Sequence, residues 1–182
     1  MTGSRVVQLS SKSGKITWSS DAVPATIGFA ALNQANEQIP LSTGSDLRIY
    51  QLPAFSHLRT MKSIPPIVRF PKQVAFTSEG DLIVAGTDAG RAVVYETKSG
   101  KAVQSLSYPR GGLVQSVAMG TSGGSCYIVI AGSTSQQVPD VIIWRRKPSD
   151  DSDEPESDES KEISGPIRTV SGVKLWPSFI LT

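Results

Sequence analysis

KQVAFTSEGDLIVAGTDAGRAVVYETKSGKAVQSL (residues 72–106) decides the fold. Lys72–Thr77 is a short apolar strand, stopped by Ser78-Glu79-Gly80. Asp81–Gly86 is a second, and Thr87-Asp88-Ala89-Gly90 makes the turn. Arg91–Glu96 is a third, Lys98-Ser99-Gly100 turns again, and Lys101–Leu106 is a fourth. Short β-branched or aromatic runs punctuated by Gly, Asp and Ser are the pattern of consecutive antiparallel hairpins. The stretch therefore reads as one four-stranded unit.

Working outward, the unit recurs. Lys98-Ser99-Gly100-Lys101 has a copy at Lys12-Ser13-Gly14-Lys15, 86 positions earlier, which is twice 43. A period of about 40–45 residues is that of a propeller blade. Following the middle unit, Leu113–Met119 is a strand, Gly120–Ser125 a turn, Cys126–Gly132 a strand and Asp140–Arg145 a third. Preceding it, the strands are 25–32, 37–42, 46–50 and 57–61, with Pro40 inside the second, where a missing amide weakens a ladder. Arg5–Ser10 and Lys15–Trp18 align with Arg91–Gln104, so they match only the third and fourth strands of a unit.

These residues resemble the WD-repeat β-propeller family. Tyr50, Tyr95 and Trp144 each end a third strand where that family places Trp or another aromatic. Ile83–Asp88 and Ile128–Ser133 resemble its second strand and following turn, and Val74–Phe76 and Val117–Met119 its first. The Gly-His and Trp-Asp dipeptides of the family are absent, so its Asp–His–Ser/Thr–Trp hydrogen-bond network cannot form in full. The resemblance implies an all-β chain of about three to four consecutive four-stranded antiparallel blades, forming an open or incomplete ring. The blades fall at 5–20 (partial), 25–63, 72–108 and 113–147, followed by an acidic linker at 149–162. Residues 163–182 supply strands that complete the last blade or join the first strand pair.

Charge is divided along the chain. Residues 149–162 hold eight acids and one base, Lys161, a local charge of −7; the remaining 17 bases and 8 acids leave +9. The acidic run has no apolar residue to offset ordering entropy and is expected to be disordered. Its serines, Ser149, Ser152, Ser157 and Ser160, lie among acids and are candidate phosphorylation sites.

One Cys (Cys126) and one His (His57) cannot build a disulfide framework or a Cys/His metal cluster, and a Ser-His-Asp or Cys-His arrangement would rest on His57 alone. Cys126 reads as a small buried hydrophobe and His57 as a surface strand residue. Gly120-Thr121-Ser122-Gly123-Gly124 lacks the Lys-Ser/Thr of a phosphate-binding loop. No catalytic residue, cofactor or metal ligand is expected, and no small-molecule substrate. The start of the sequence carries no secretory pattern and no apolar run is long enough to span a bilayer, so the expected compartment is the cytoplasm or nucleus.

What remains is suited to interaction. Links between one blade's fourth strand and the next blade's first hold Ile64–Phe70 and Tyr108–Gly112. Propellers open such links on one face, and an Arg beside an aromatic is a combination enriched at binding hot spots. Arg69, Phe70, Tyr108 and Arg110 are therefore the candidate partner-binding residues. The implied function is a non-catalytic scaffold for protein partners. The alternatives are a basic surface for nucleic acid or another polyanion, with its bases scattered instead of clustered, and a remnant of a larger propeller.

Overall fold

The computed structural model describes residues 3–62, 65–68, 70–77, 80–108, 111–133, 141–146 and 166–170. Arg69, Arg110, the acidic run and its four serines lie outside them. All regular structure among the described residues is β.

Four antiparallel sheets follow one another along the chain. The first has two strands, β1 (Val7–Leu9) and β2 (Ile16–Ser19). The second is built from β3 (Phe29–Ala30), β4 (Gln38–Ser42), β5 (Leu47–Gln51) and β6 (Ser56–Met61). The third is β7 (Val74–Phe76), β8 (Leu82–Gly86), β9 (Arg91–Glu96) and β10 (Ala102–Ser107). The fourth is β11 (Leu113–Ser122), β12 (Ser125–Ser133), β13 (Val141–Arg146) and β14 (Pro166–Val170). Each strand pairs with its neighbours in sequence.

Side-chain alternation makes each complete sheet two-faced. In the third sheet, Ile83, Val93 and Tyr95 pack with Leu47, Ile49 and Met61 of the second. Val84, Ala92 and Val94 face the other way and pack with Val114, Val117, Ile128 and Ile130 of the fourth. Successive residues point to opposite faces of a strand, so Ala92 to Tyr95 are all buried. A sheet buried on both faces reads as a continuous apolar run, as in β8 and β9. A smaller cluster, centred on Val23, Leu41 and Tyr50, joins the two-stranded sheet to the second. No cluster among the described residues joins the fourth sheet back to the first. The blades form an open arc.

The two Lys-Ser-Gly-Lys copies adopt one geometry. Ser10 N donates to Lys15 O at 2.9 Å and Gly14 N to Ser10 O at 2.8 Å; Glu96 N donates to Lys101 O at 2.9 Å and Gly100 N to Glu96 O at 2.8 Å. Gly14 and Gly100 carry φ of +67° and +70°, which an L side chain adopts only with strain.

Three sequence expectations are corrected. The strand expected over 25–32 forms a ladder only at Phe29–Ala30. The turn expected at Gly120–Ser125 shrinks to Gly123-Gly124, because β11 runs on to Ser122 and pairs there with Ser125. Both glycines have positive φ, as a two-residue hairpin turn requires. Cys126 is half-buried, near the hairpin tip and outside the core. Pro40, by contrast, is accommodated in β4. Its carbonyl accepts from Ala31 N on the β3 side, so the absent amide falls where β3 ends.

Candidate partner-binding face

Between β6 and β7 the chain crosses from one blade to the next through Pro65-Pro66-Ile67-Val68, Phe70 and Pro71. Prolines restrict φ and donate no amide, so this link cannot join a ladder and depends on other ties. Those ties come from Asp88, in the β8–β9 turn, and Lys72, just before β7. Asp88 Oδ2 accepts from Val68 N at 2.6 Å and from Lys72 Nζ at 3.3 Å. Lys72 Nζ also donates to Val68 O at 2.7 Å. Both polar groups of the Val68 peptide backbone are thus held by one ion pair. Phe70 N adds a bond to Val68 O at 2.8 Å.

The pair is buried, with only 2% of the Asp88 side chain exposed. Burial pushes the Asp88 carboxyl up, but the Val68 amide and the Lys72 ammonium outweigh it and hold the group below its ordinary value. The carboxylate is therefore ionised at neutral pH. The neighbouring cavity, bordered by Ser45, Pro66 and Thr87, measures about 30 Å³, room for water but not for a larger ligand. Gly44 of the β4–β5 turn closes the other side: a Cβ there would lie 3.2 Å from the Phe70 carbonyl carbon.

A fixed backbone here presents apolar side chains to solvent. Ile67 is 80% exposed, Phe70 54%, and Val68 about half. Scattered exposed apolar residues are ordinary, whereas a cluster on one loop marks an interaction surface.

The adjoining turn in the second sheet is built differently. Asp46 is gripped by Arg48, with Nε 3.1 Å from Oδ1 and Nη2 3.0 Å from Oδ2, and by the Thr43 hydroxyl. Burial raises the Asp46 carboxyl, and the Arg48 and Thr43 hydrogen bonds bring it below its ordinary value.

Of the sequence candidates, Phe70 lies on this loop. Tyr108 does not belong to a binding face. It is 3% exposed in the core between the third and fourth sheets, and its hydroxyl donates to Gly132 O at 3.2 Å. Its burial requires a glycine opposite, since a Cβ on Gly132 would come within 2.8 Å of the Tyr108 ring. Sequence reading missed Ile67 and Val68 as presented groups and Lys72–Asp88 as their anchor. The prolines bracketing Ile67-Val68-Arg69-Phe70, in which three residues are apolar, were the available signal. His57 is exposed on β6, edge-on to Tyr50 and 3.1 Å from the Thr60 hydroxyl. No cluster of three metal-ligating side chains occurs among the described residues.

Trp144 faces Ile128 across the β12–β13 ladder, and its indole nitrogen, buried, has no acceptor among the described residues.

No protein-family model matches this chain. No curated protein matches it either. Solved structures do match in fold. The β-propeller domain of Cps50 (Swd1) from Myceliophteria thermophila superposes with a TM-score of 0.66 at 13% identity, covering 93% of this chain and 52% of that one. Hydrazine synthase from Kuenenia stuttgartiensis gives 0.63 at 12% identity, covering 79% and 40%. A chain of the Mitotic Checkpoint Complex gives 0.61 at 12% identity, covering 77% and 42%. The chain spans about two fifths to one half of the chains it matches. At these identities the likeness establishes the β-propeller fold alone.

Proposed function

We propose that this chain is a non-catalytic, WD-repeat-like interaction module that binds a protein partner on the face carrying residues 65–71. The supporting observation is the Lys72–Asp88 clamp, which fixes the Val68 backbone while Ile67, Val68 and Phe70 stay exposed. Holding a loop in its bound shape beforehand reduces the ordering cost of association. The apolar character of the loop favours a protein over a polyanion, whose recognition rests on clustered bases. One of the similar structures comes from a multi-protein assembly, the Mitotic Checkpoint Complex, in keeping with a blade arc used for assembly. Fold alone does not assign function, so the loop carries the proposal.

The test is site-directed photocrosslinking in cell extract. A benzophenone amino acid placed at Phe70 captures a discrete protein partner; the same group at Val103, exposed on the outer strand β10, does not. Ile67→Asp in the Phe70 crosslinker background abolishes the product. Capture of the same protein from Val103, or no capture from Phe70, sinks the proposal.

A further inference from the structure

An arginine between the second and third sheets lacks a counter-ion among the described residues. Arg59 lies on β6 opposite Ile49, two residues before Met61. Residues two apart share a strand face, so Arg59 faces the third sheet as Met61 does. The β9–β10 turn lies against its stem: a Cβ on Gly100 would stand 3.4 Å from Arg59 Cδ and 3.7 Å from Met61 Cγ. The side chain is half-buried, and its covered Nε has no acceptor among the described residues. Arg59 enters neither of the ion pairs found there, Arg48–Asp46 and Lys72–Asp88.

A second unpartnered group stands in the same turn. Thr97 N donates to Asp81 O at 2.8 Å, which extends the β8–β9 ladder by one residue. Alternation therefore puts the Thr97 side chain on the face of Tyr95, which packs into this junction. Thr97 is 6% exposed, and its hydroxyl has no partner among the described residues. Lys98 and Lys101, on either side of Ser99-Gly100, are exposed. Glu96, the one acid in this turn, alternates to the opposite face. Packing alone does not call for a charge at Arg59. Between the third and fourth sheets, the place two residues before buried Leu106 is held by the uncharged Gln104.

An unpaired buried donor is costly, and a charge drawn from water without a partner more so. We propose that this turn binds an oxyanion of the phosphate monoester class. Arg59 is its principal partner, the Thr97 hydroxyl a neutral donor, and Lys98 and Lys101 flanking charges. The planar guanidinium fork matches the oxygens of a phosphate, and three cations suit a group whose charge approaches −2 better than a single carboxylate. Binding draws the guanidinium off the turn, which relieves Nε and opens the junction to the ligand. The other copy of the motif is a built-in control. Lys12-Ser13-Gly14-Lys15 has the same turn and both lysines, but nothing lies within 4 Å of a Cβ on Gly14, so no arginine backs it.

The probe is O-phospho-L-serine, titrated at constant ionic strength into the isotope-labelled full chain and followed by amide NMR. The expected result is a saturable shift of the Arg59 Nε–H and of the Thr97 and Gly100 amides, half-complete below about 1 mM, with the Gly14 amide unmoved. Arg59→Gln, which gives β6 the side chain that β10 carries at Gln104, weakens binding at least about tenfold. Lys98→Ala/Lys101→Ala, at exposed positions that leave the thermal melt unchanged, weakens it by a smaller factor and decides the matter if Arg59→Gln fails to fold. A second arm separates two sources of the phosphate, after treatment of the chain with an acid-directed kinase. Shifts that then appear without probe, at any protein concentration, assign the site to the chain's own phosphoserines; a treated chain that still needs the probe assigns it to a phosphate from outside. No saturation by about 10 mM probe, equal shifts at Gly14, or shifts that both variants leave intact overturn the proposal.

Discussion

Lys72→Met removes the ammonium of the loop clamp and keeps its aliphatic stem. The lost contacts are one charge-assisted bond to Val68 O at 2.7 Å and the pairing with Asp88 at 3.3 Å. Removing one member of a buried ion pair costs about 3–5 kcal/mol, because the other charge stays buried and uncompensated. Asp88 retains its 2.6 Å bond from Val68 N, so the lower end, about 3 kcal/mol, is expected. For a chain of this size that lowers Tm by about 6–12 °C. Urea unfolding at pH 7, followed by far-UV circular dichroism, reads the loss directly. The pH dependence gives a second check. In the parent chain Asp88 is held below its ordinary value. Its stabilising contribution is therefore complete above the unfolded-state pKa and is lost as pH falls through the lower folded-state pKa. In Lys72→Met, burial is opposed chiefly by the Val68 amide, so protonation of Asp88 relieves the defect and the deficit shrinks as pH falls toward 4. Lys72→Met/Asp88→Asn, which retains an acceptor for Val68 N, recovers to within about 1 kcal/mol of the parent, neutral bonds being worth about that much. A Lys72→Met deficit below about 0.5 kcal/mol at pH 7, the range of ordinary surface changes, would refute the clamp; so would a deficit unchanged between pH 7 and pH 4.

Two further outcomes follow from the packing. Val93→Ala and Val7→Ala alter one repeat position in two sheets, 4% exposed in β9 and 45% in β1. The first costs about 2 kcal/mol from two lost methylene equivalents and the cavity they leave, and the second stays within about 0.5 kcal/mol; equal costs in paired urea melts would contradict the open arc. Trp144→Phe trades ring contacts against relief of a buried donor that lacks an acceptor, and its net change stays within about 1.5 kcal/mol. A loss near 4 kcal/mol in the same assay would mean that the indole nitrogen is satisfied after all.

Strands were legible wherever apolar alternation and Gly or Asp turns coincided, which is why the expected β8, β9 and β10 differ from the observed ones by at most a residue at either end. The errors share a cause: the deciding partner lies outside the segment being read, from 3 residues away for Ser122 and Ser125 to 24 for Tyr108 and Gly132. Gly120, Thr121 and Ser122 have turn composition, yet pairing with Tyr127, Cys126 and Ser125 draws them into the ladder. Tyr108 sits among crossover residues, and the missing side chain of Gly132, in the next sheet, makes room to bury it. The clamp joins residues 16 apart through a loop neither belongs to. Local composition carries no record of such pairings. The exposed apolar loop was half legible, since Phe70 was singled out with residues that the structure places elsewhere or does not describe.

Among the described residues every ladder joins strands adjacent in sequence, and sheets meet through side chains and, between the third and fourth, through a few backbone bonds such as Val114 N to Thr87 O at 2.7 Å. Such a chain behaves as a one-dimensional array, each unit coupled to its nearest neighbours. The couplings are unequal: the cluster between the third and fourth sheets is extensive, and the one holding β1 and β2 rests on three buried residues. Opening therefore proceeds from the amino-terminal end inward. Amide exchange grades along the sequence, fastest in β1 and β2 and slowest in β8 and β9. Whatever packs against β1 raises the weakest unit toward the rest and flattens that gradient, so a contact at one end is read as rigidity in the units beyond it.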